Sequence, residues 1–226
     1  MMIVDRIVSL IAPLHCLGCE KPGTLICYAC ASERLEPVPS RCYRCHSTTL
    51  QSQVCRKCRT IVSLKHVWVA CEYQGLARDV IEIFKFERAG GAAPDLAKLM
   101  HEQLPLLTAD TVVCFVPTAN SRRRMRGYDH AELLAKELAK RAKLELIRPL
   151  SRAGISRQVG AERLVRRKQA EAAYQVTNPD AVIGRKVLLV DDVTTSGATL
   201  EVIARLLRRA GATSVDAVVF AQAVGD

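Results

Sequence analysis

Two constellations in this sequence have the residue types and spacing to do chemistry. One is VLLVDDVTTSGATL, residues 187–200, where four apolar residues precede two adjacent acids and a run of Thr, Ser, Gly and Ala. The other is a set of four C-x-x-C pairs before residue 60: Cys16 with Cys19, Cys27 with Cys30, Cys42 with Cys45, and Cys55 with Cys58. In the first, VLLV reads as a buried strand, so Asp191 and Asp192 emerge where it ends. Thr194, Thr195, Ser196, Gly197, Ala198 and Thr199 then form a small, hydroxyl-rich turn into a helix that begins near Thr199. Small residues let the backbone wrap closely round a phosphate, whose oxygens take the free N–H groups and hydroxyls, and a helix amino terminus adds a favourable dipole. Two carboxylates would repel that phosphate, so they need another partner. Vicinal sugar hydroxyls donate hydrogen bonds to acids, and a phosphate beside a diol is a ribose 5-phosphate. A Ser/Thr-capped helix after a strand, with incidental acids, accounts for any two of these features but not for all of them in order.

Each C-x-x-C pair presents two thiolates from one tight turn, and two such turns complete a tetrahedral shell around Zn²⁺, so four pairs supply two all-thiolate sites. A closed shell has no open coordination position, and such metals are expected to hold the segment's fold and not to catalyse. The simplest grouping puts Cys16, Cys19, Cys27 and Cys30 on one ion and Cys42, Cys45, Cys55 and Cys58 on the other. An interleaved grouping stays open, as do iron–sulfur, redox-active and disulfide readings, and His15 or His46 could replace a cysteine. Cys71 and Cys114 fall in apolar strand patterns and read as small buried hydrophobes.

These residues must be positioned by a chain of 226 residues, enough for one full-sized domain and a small companion. The expected division is 1–64, an N-terminal helix and double zinc module, and 65–226, a larger domain. The start MMIVDRIVSLIAPLHC is apolar, but Asp5 and Arg6 interrupt it; Ile3, Ile7, Leu10 and Ile11 suit one face of a packing helix better than a signal peptide. Strands are expected at 67–73, 112–116, 144–147, 187–190 and 215–221. Helices are expected at 77–88, 95–107 and 129–142, and from near Thr199 to Gly211. Alternating strands and helices define an α/β fold, a mostly parallel sheet covered on both faces, with ligands at the carboxyl ends of its strands.

A hydrophobic share of 49%, a charged share of 25% and no apolar run near the ~20 residues that span a bilayer predict a soluble protein without membrane insertion. The formal charge is +10. Eight thiolates around two zinc ions would subtract a net four charges and still leave the chain basic, which favours anionic partners.

VLLVDDVTTSGAT resembles the signature of type I phosphoribosyltransferases, which bind 5-phosphoribosyl 1-pyrophosphate. The resemblance implies that Asp191 and Asp192 meet the ribose hydroxyls and that the turn holds the 5-phosphate; Ser196 stands where Thr is usual and keeps the hydroxyl. The whole chain resembles the ComF family of competence proteins, which join a cysteine-rich zinc module to a phosphoribosyltransferase domain. The likeness is carried by the C-x-x-C pairs, YQGLARDVIEIFKF (73–86), VPTANSRRRMRGYDHAELL (116–134) and the signature. Where that family usually reads Arg-Gly-Phe-Asn-Gln, this chain has Arg126-Gly127-Tyr128-Asp129-His130, so only Arg126 and Gly127 carry over.

By position, 121–127 resembles the superfamily's pyrophosphate loop, and guanidinium groups at Arg122, Arg123, Arg124 and Arg126 suit a bidentate grip on pyrophosphate. Solvated surface arginines are the plainer reading. Residues 151–170 lie where the superfamily carries a lid that excludes water from the reactive centre, with Gln158, Arg163 and Arg166 at family positions; a helix with a charged face is the alternative. An active transferase would use Mg²⁺ to bridge pyrophosphate and ribose hydroxyls, and Asp191 and Asp192 to steady charge on the ribose. No base-reading segment or general base is evident, so turnover stays open beside binding. The ComF resemblance implies handling of imported single-stranded DNA in natural transformation, with a competence helicase as partner. Aromatic residues make up 4% of the chain, so the DNA contact is expected to be electrostatic and not a stacking platform. A salvage or modification enzyme of unknown acceptor, and a sensor of the sugar phosphate, are the competing classes.

Overall fold

The structure is a computed structural model that describes residues 14–86, 89–152 and 173–223. Its centre is a five-stranded, all-parallel sheet in the order β1-β7-β6-β2-β3. The strands are β1 (Leu64–Glu72), β2 (Thr111–Phe115), β3 (Glu145–Leu146), β6 (Lys186–Thr194) and β7 (Ser214–Gln222). Every residue of β2 and almost every residue of β7 is buried, which is why these segments read as continuous apolar runs and not as alternating ones.

Helices cover both faces. Next along the chain from a short α1 (Tyr28–Arg34) come α2 (Gly75–Phe86), α3 (Ala93–His101), α4 (Asn120–Arg126), α5 (His130–Ala142) and α6 (Ala198–Arg209). On one face Ile81 and Phe84 of α2, Leu96 and Met100 of α3, and Leu134 and Leu138 of α5 pack on Val113, Leu188, Val190, Val218 and Phe220. On the other, Leu200, Ile203 and Leu207 of α6 meet Cys114, Val187, Leu189, Val215 and Val219. Each fully buried large aliphatic side chain contributes about 1.5–3 kcal/mol. Cys71 and Cys114 are fully buried among these apolar groups, and burial pushes both thiols up, Cys71 to about 12.

The strand order has a switch point. From β2 the chain passes through α4 and α5 to β3 on one side; from β6 it passes through α6 to β7 on the other. The carboxyl ends of β2 and β6 are neighbours, paired up to Phe115 and Val190, and the segments leaving them diverge, which is how open α/β sheets make a crevice.

The cysteine-bearing segment clasps the edge strand β1. Cys16, Leu25, Ile26 and Cys30 join the core on the α2 face, while Cys42, Tyr43, Val54 and Cys58 join the core under α6. Backbone bonds from Val54 to Lys65, Val67 to Ser52 and Glu72 to Glu36 cover both ends of the outer edge of β1, which blunts it as a template for another strand.

The expected elements occur with ends shifted by a few residues, except that the helix expected at 95–107 stops at His101, with Pro105 ahead of it disfavouring helix; three elements go beyond the sequence reading. Residues 120–126, read as part of a loop, form α4, which ends at Gly127 in the left-handed conformation (φ 85°). One apolar residue among seven offers no periodicity to read there. An antiparallel pair, β4 (Leu150–Arg152) and β5 (Tyr174–Val176), brackets 153–172; strands of three residues are too short to show alternation. The third is α1, inside the cysteine segment. The apolar start at Ile3, Ile7, Leu10 and Ile11, and the lid residues Gln158, Arg163 and Arg166, lie outside the described residues. Among the described residues no helix is long and apolar enough to cross a membrane.

Candidate functional site

At the switch point β6 runs past both acids to Thr194, and the turn Thr195, Ser196, Gly197 leads into α6. Thr195, Ser196, Ala198 and Thr199 are exposed, and Thr194 is buried. Gly197 caps the helix in a left-handed conformation (φ 70°), which an L side chain adopts only with strain. The sequence Gly-Ala-Thr thus has a backbone reason for its glycine, and a close-approach reason given below.

The two acids differ. Asp191 is half-buried, and its Oδ1 accepts the Asp192 N–H at 2.9 Å. Burial, then the neighbouring Asp192 charge, raises its carboxyl well above the usual range. Asp192 turns inward. Its Oδ2 lies 2.8 Å from Lys85 Nζ of α2 and 2.8 Å from His130 Nε2 of α5, and its side chain is only 6% exposed. Burial opposes its charge, but His130 and Lys85 outweigh that and bring it down to about 2. The sequence reading set both acids toward a ligand; in this arrangement the second is held by Lys85 and His130, from two helices on one face of the sheet.

Lys85 and His130 escaped the sequence reading, though a signal for each was present. Lys85 stands four residues after the buried Ile81 and beside the buried Phe84, so it lies on the inner side of α2. His130 stands four before the buried Leu134 on the inner side of α5. Its ring also meets Phe84 edge-on at 6.5 Å between centroids.

The segment leaving β2 is pinned by Asp129. Its Oδ2 accepts the Thr118 N–H at 2.8 Å, its Oδ1 accepts the Thr118 hydroxyl at 3.0 Å, and the same oxygen caps α5 by accepting the Ala131 N–H at 3.2 Å. The two positions that depart from the family's Asn-Gln therefore have structural work here: Asp129 closes the loop and His130 joins the Asp192 network. Arg123, Arg124 and Gly127 are exposed on or just after α4. Nothing is described of the Arg122 and Arg126 side chains.

The eight cysteines gather in two fours, Cys16, Cys19, Cys27 and Cys30, and Cys42, Cys45, Cys55 and Cys58, with the sulfurs of each four within 4.8 Å of one another. None is in a disulfide. A tetrahedral shell with Zn–S near 2.3 Å separates its sulfurs by about 3.8 Å, and Cys19–Cys27 at 3.6 Å and Cys45–Cys55 at 3.5 Å suit it. Burial opposes a thiolate at Cys16, but N–H donors from Cys27, Gly18 and Cys19 bring it down to about 6. Burial and the neighbouring sulfurs push Cys30 up to about 12, a repulsion that a dication relieves. Each four can hold a metal ion.

The two modules meet at the turn. The Tyr43 ring lies against Gly197 so closely that a Cβ there would stand 2.5 Å from the ring. Its hydroxyl donates to Glu201 of α6 at 3.1 Å, and the Ser63 N–H donates to both oxygens of the same carboxylate at 2.9 and 3.0 Å.

Residues 125–225 match the family model described as a phosphoribosyl transferase domain. Over 202 residues the chain is 28% identical to the competence protein ComFC of Bacillus subtilis, covering 84% of this chain and 81% of that one. Over 222 residues it is 27% identical to the DNA utilization protein YhgH of Escherichia coli K12, covering 91% and 96%. A solved glutamine phosphoribosylpyrophosphate amidotransferase from B. subtilis, complexed with ADP and GMP, overlaps 58% of this chain and 26% of its own at 22% identity and a TM-score of 0.40. The parallel sheet with its flanking helices and the matching domain define a type I phosphoribosyltransferase-like protein preceded by a cysteine-rich metal-binding module. Within that class, the chain is similar over most of its length to the ComFC and YhgH proteins.

Proposed function

We propose that this protein is a ComF-like competence protein of the cytoplasm that binds 5-phosphoribosyl 1-pyrophosphate, and single-stranded DNA, during DNA uptake. The observation that carries the ligand reading is the turn at Gly197, a left-handed cap that opens a helix directly beyond the acids at the sheet's switch point. In this reading the N–H groups and hydroxyls of Thr195, Ser196, Ala198 and Thr199 hold the 5-phosphate. Asp191 accepts from the ribose hydroxyls, and Asp192 keeps the end of β6 in place through Lys85 and His130. Asp191, whose ionised form burial disfavours, would gain from a cation near it, and Mg²⁺ bound with the ligand would supply that charge and offset the pyrophosphate's. Arg126 and Gly127, which carry over from the family resemblance, are assigned to the pyrophosphate. Two Zn²⁺ ions sit in the four-cysteine clusters and hold the module's fold.

The basic surface and the names of the relatives support DNA as partner, with contacts to the phosphate backbone. Strand binding should then fall steeply between about 50 and 200 mM salt, and a filter titration with no binding at the lower value removes this part. Calorimetric titration with phosphoribosyl pyrophosphate and Mg²⁺ tests the rest. Binding by the wild type, weakened at least about tenfold in Asp191→Ala, is expected; an athermal, signal-free titration refutes the site. Release of pyrophosphate on adding candidate acceptors would move the protein into the enzyme class.

A further inference from the structure

Tyr43 belongs to the second cysteine cluster by sequence and to the phosphate turn by contact. It follows the cluster's Cys42, two residues before Cys45. Its ring is 4% exposed, and its edge occupies the space a side chain at position 197 would need. Its hydroxyl ends on Glu201, in the first turn of α6, four residues beyond the glycine. The phenol O–H is the donor in that bond, and the carboxylate accepts it. The carboxylate is in turn fixed by the Ser63 N–H, at the end of the cysteine segment, and by Arg205 at 3.5 Å. The turn is thus held from behind by one aromatic plate and one buried acid. Both are anchored in the segment that Cys42, Cys45, Cys55 and Cys58 fold.

We propose that Tyr43 is a positioning residue for the phosphate turn, and that through it the second four-cysteine centre sets the affinity of the turn for a sugar 5-phosphate. The inference rests on the ligand reading above and adds to it the route by which the cysteine module acts on the site. A turn centred on glycine pays a large ordering cost when it closes on an anion, and a rigid plate behind it meets that cost in advance. The first four-cysteine centre joins the opposite face of the sheet and makes no such contact with the turn among the described residues.

Two calorimetric probes separate positioning from general damage: ribose 5-phosphate, which reports on the turn, and inorganic pyrophosphate, which reports on the α4 side. Tyr43→Ala is expected to keep its bound metal and its circular dichroism, to lose about tenfold in ribose 5-phosphate affinity, and to bind pyrophosphate as the wild type does. Tyr43→Phe keeps the plate but not the hydroxyl and should lose about threefold, with faster amide exchange at 195–199. Unchanged ribose 5-phosphate affinity in Tyr43→Ala overturns the inference while leaving the ligand reading standing. Equal loss for both probes also overturns it, because that marks a global effect. A wild type that binds neither probe overturns the ligand reading and this inference with it. Should Tyr43→Ala fail to fold, Tyr43→Phe decides: wild-type affinity together with wild-type exchange at the turn refutes the proposal.

Discussion

Replacing Lys85 by Met takes one of two partners from a carboxylate that is almost wholly buried. Burial works against the Asp192 charge, and His130 and Lys85 together still hold its pKa at about 2, against an ordinary 3.8. At 1.36 kcal/mol per pH unit, that net depression corresponds to about 2 kcal/mol of stability shared between the two partners. Removing Lys85 alone leaves His130 in place, so the cost should lie below the 3–5 kcal/mol of an unrelieved buried charge, at about 2 kcal/mol. A double-mutant cycle of Lys85→Met with Asp192→Asn, read by urea unfolding of the metal-loaded protein, should return a coupling of about 1–2 kcal/mol. A depressed carboxyl contributes in full above its unfolded value and loses that contribution as pH falls through its folded value. The window for Asp192 therefore runs from 3.8 down to about 2, and the coupling should be the same at pH 7 and pH 5. A coupling under about 0.5 kcal/mol at both pH values, or one that appears only in acid, would refute the ion pair and with it the distinct roles of the two acids.

Asp129→Ala should cost about 1–2 kcal/mol in thermal or urea unfolding, because it removes the α5 cap and both bonds to Thr118; Asp129→Asn should recover part of that. Metal analysis of the purified chain should find two ions, and Cys45→Ser should retain one, since its three cluster partners no longer close a four-thiolate shell.

Much of the fold was legible because its signals are local. The buried strands β2, β6 and β7 are short apolar runs bounded by polar residues, and α5 and α6 carry apolar residues at helical spacing. Helix α4 and the β4–β5 pair were not legible, since neither is long or apolar enough to establish a period. The candidate site divides in the same way. The acids, the turn and its glycine lie within one strand-turn-helix, whose geometry follows from adjacent residues. Lys85 and His130 reach Asp192 from two other helices, and their inner-face positions show only that each is buried, not what it meets.

The sequence by itself determined what neighbours along the chain decide: paired thiols at C-x-x-C spacing, two acids following a buried apolar run, and a glycine where the backbone must turn left-handed. Tertiary structure alone decided which acid stays partly exposed and which is buried against Lys85 and His130, and it brought Tyr43 and Glu201, 158 positions apart, into a hydrogen bond behind the turn at Gly197. The physical reason is that hydrogen-bonded turns and amphipathic periods are short-range properties of a chain. Ion pairs and aromatic packing across layers depend on how strands are ordered in the sheet, which brings together residues that no local pattern relates.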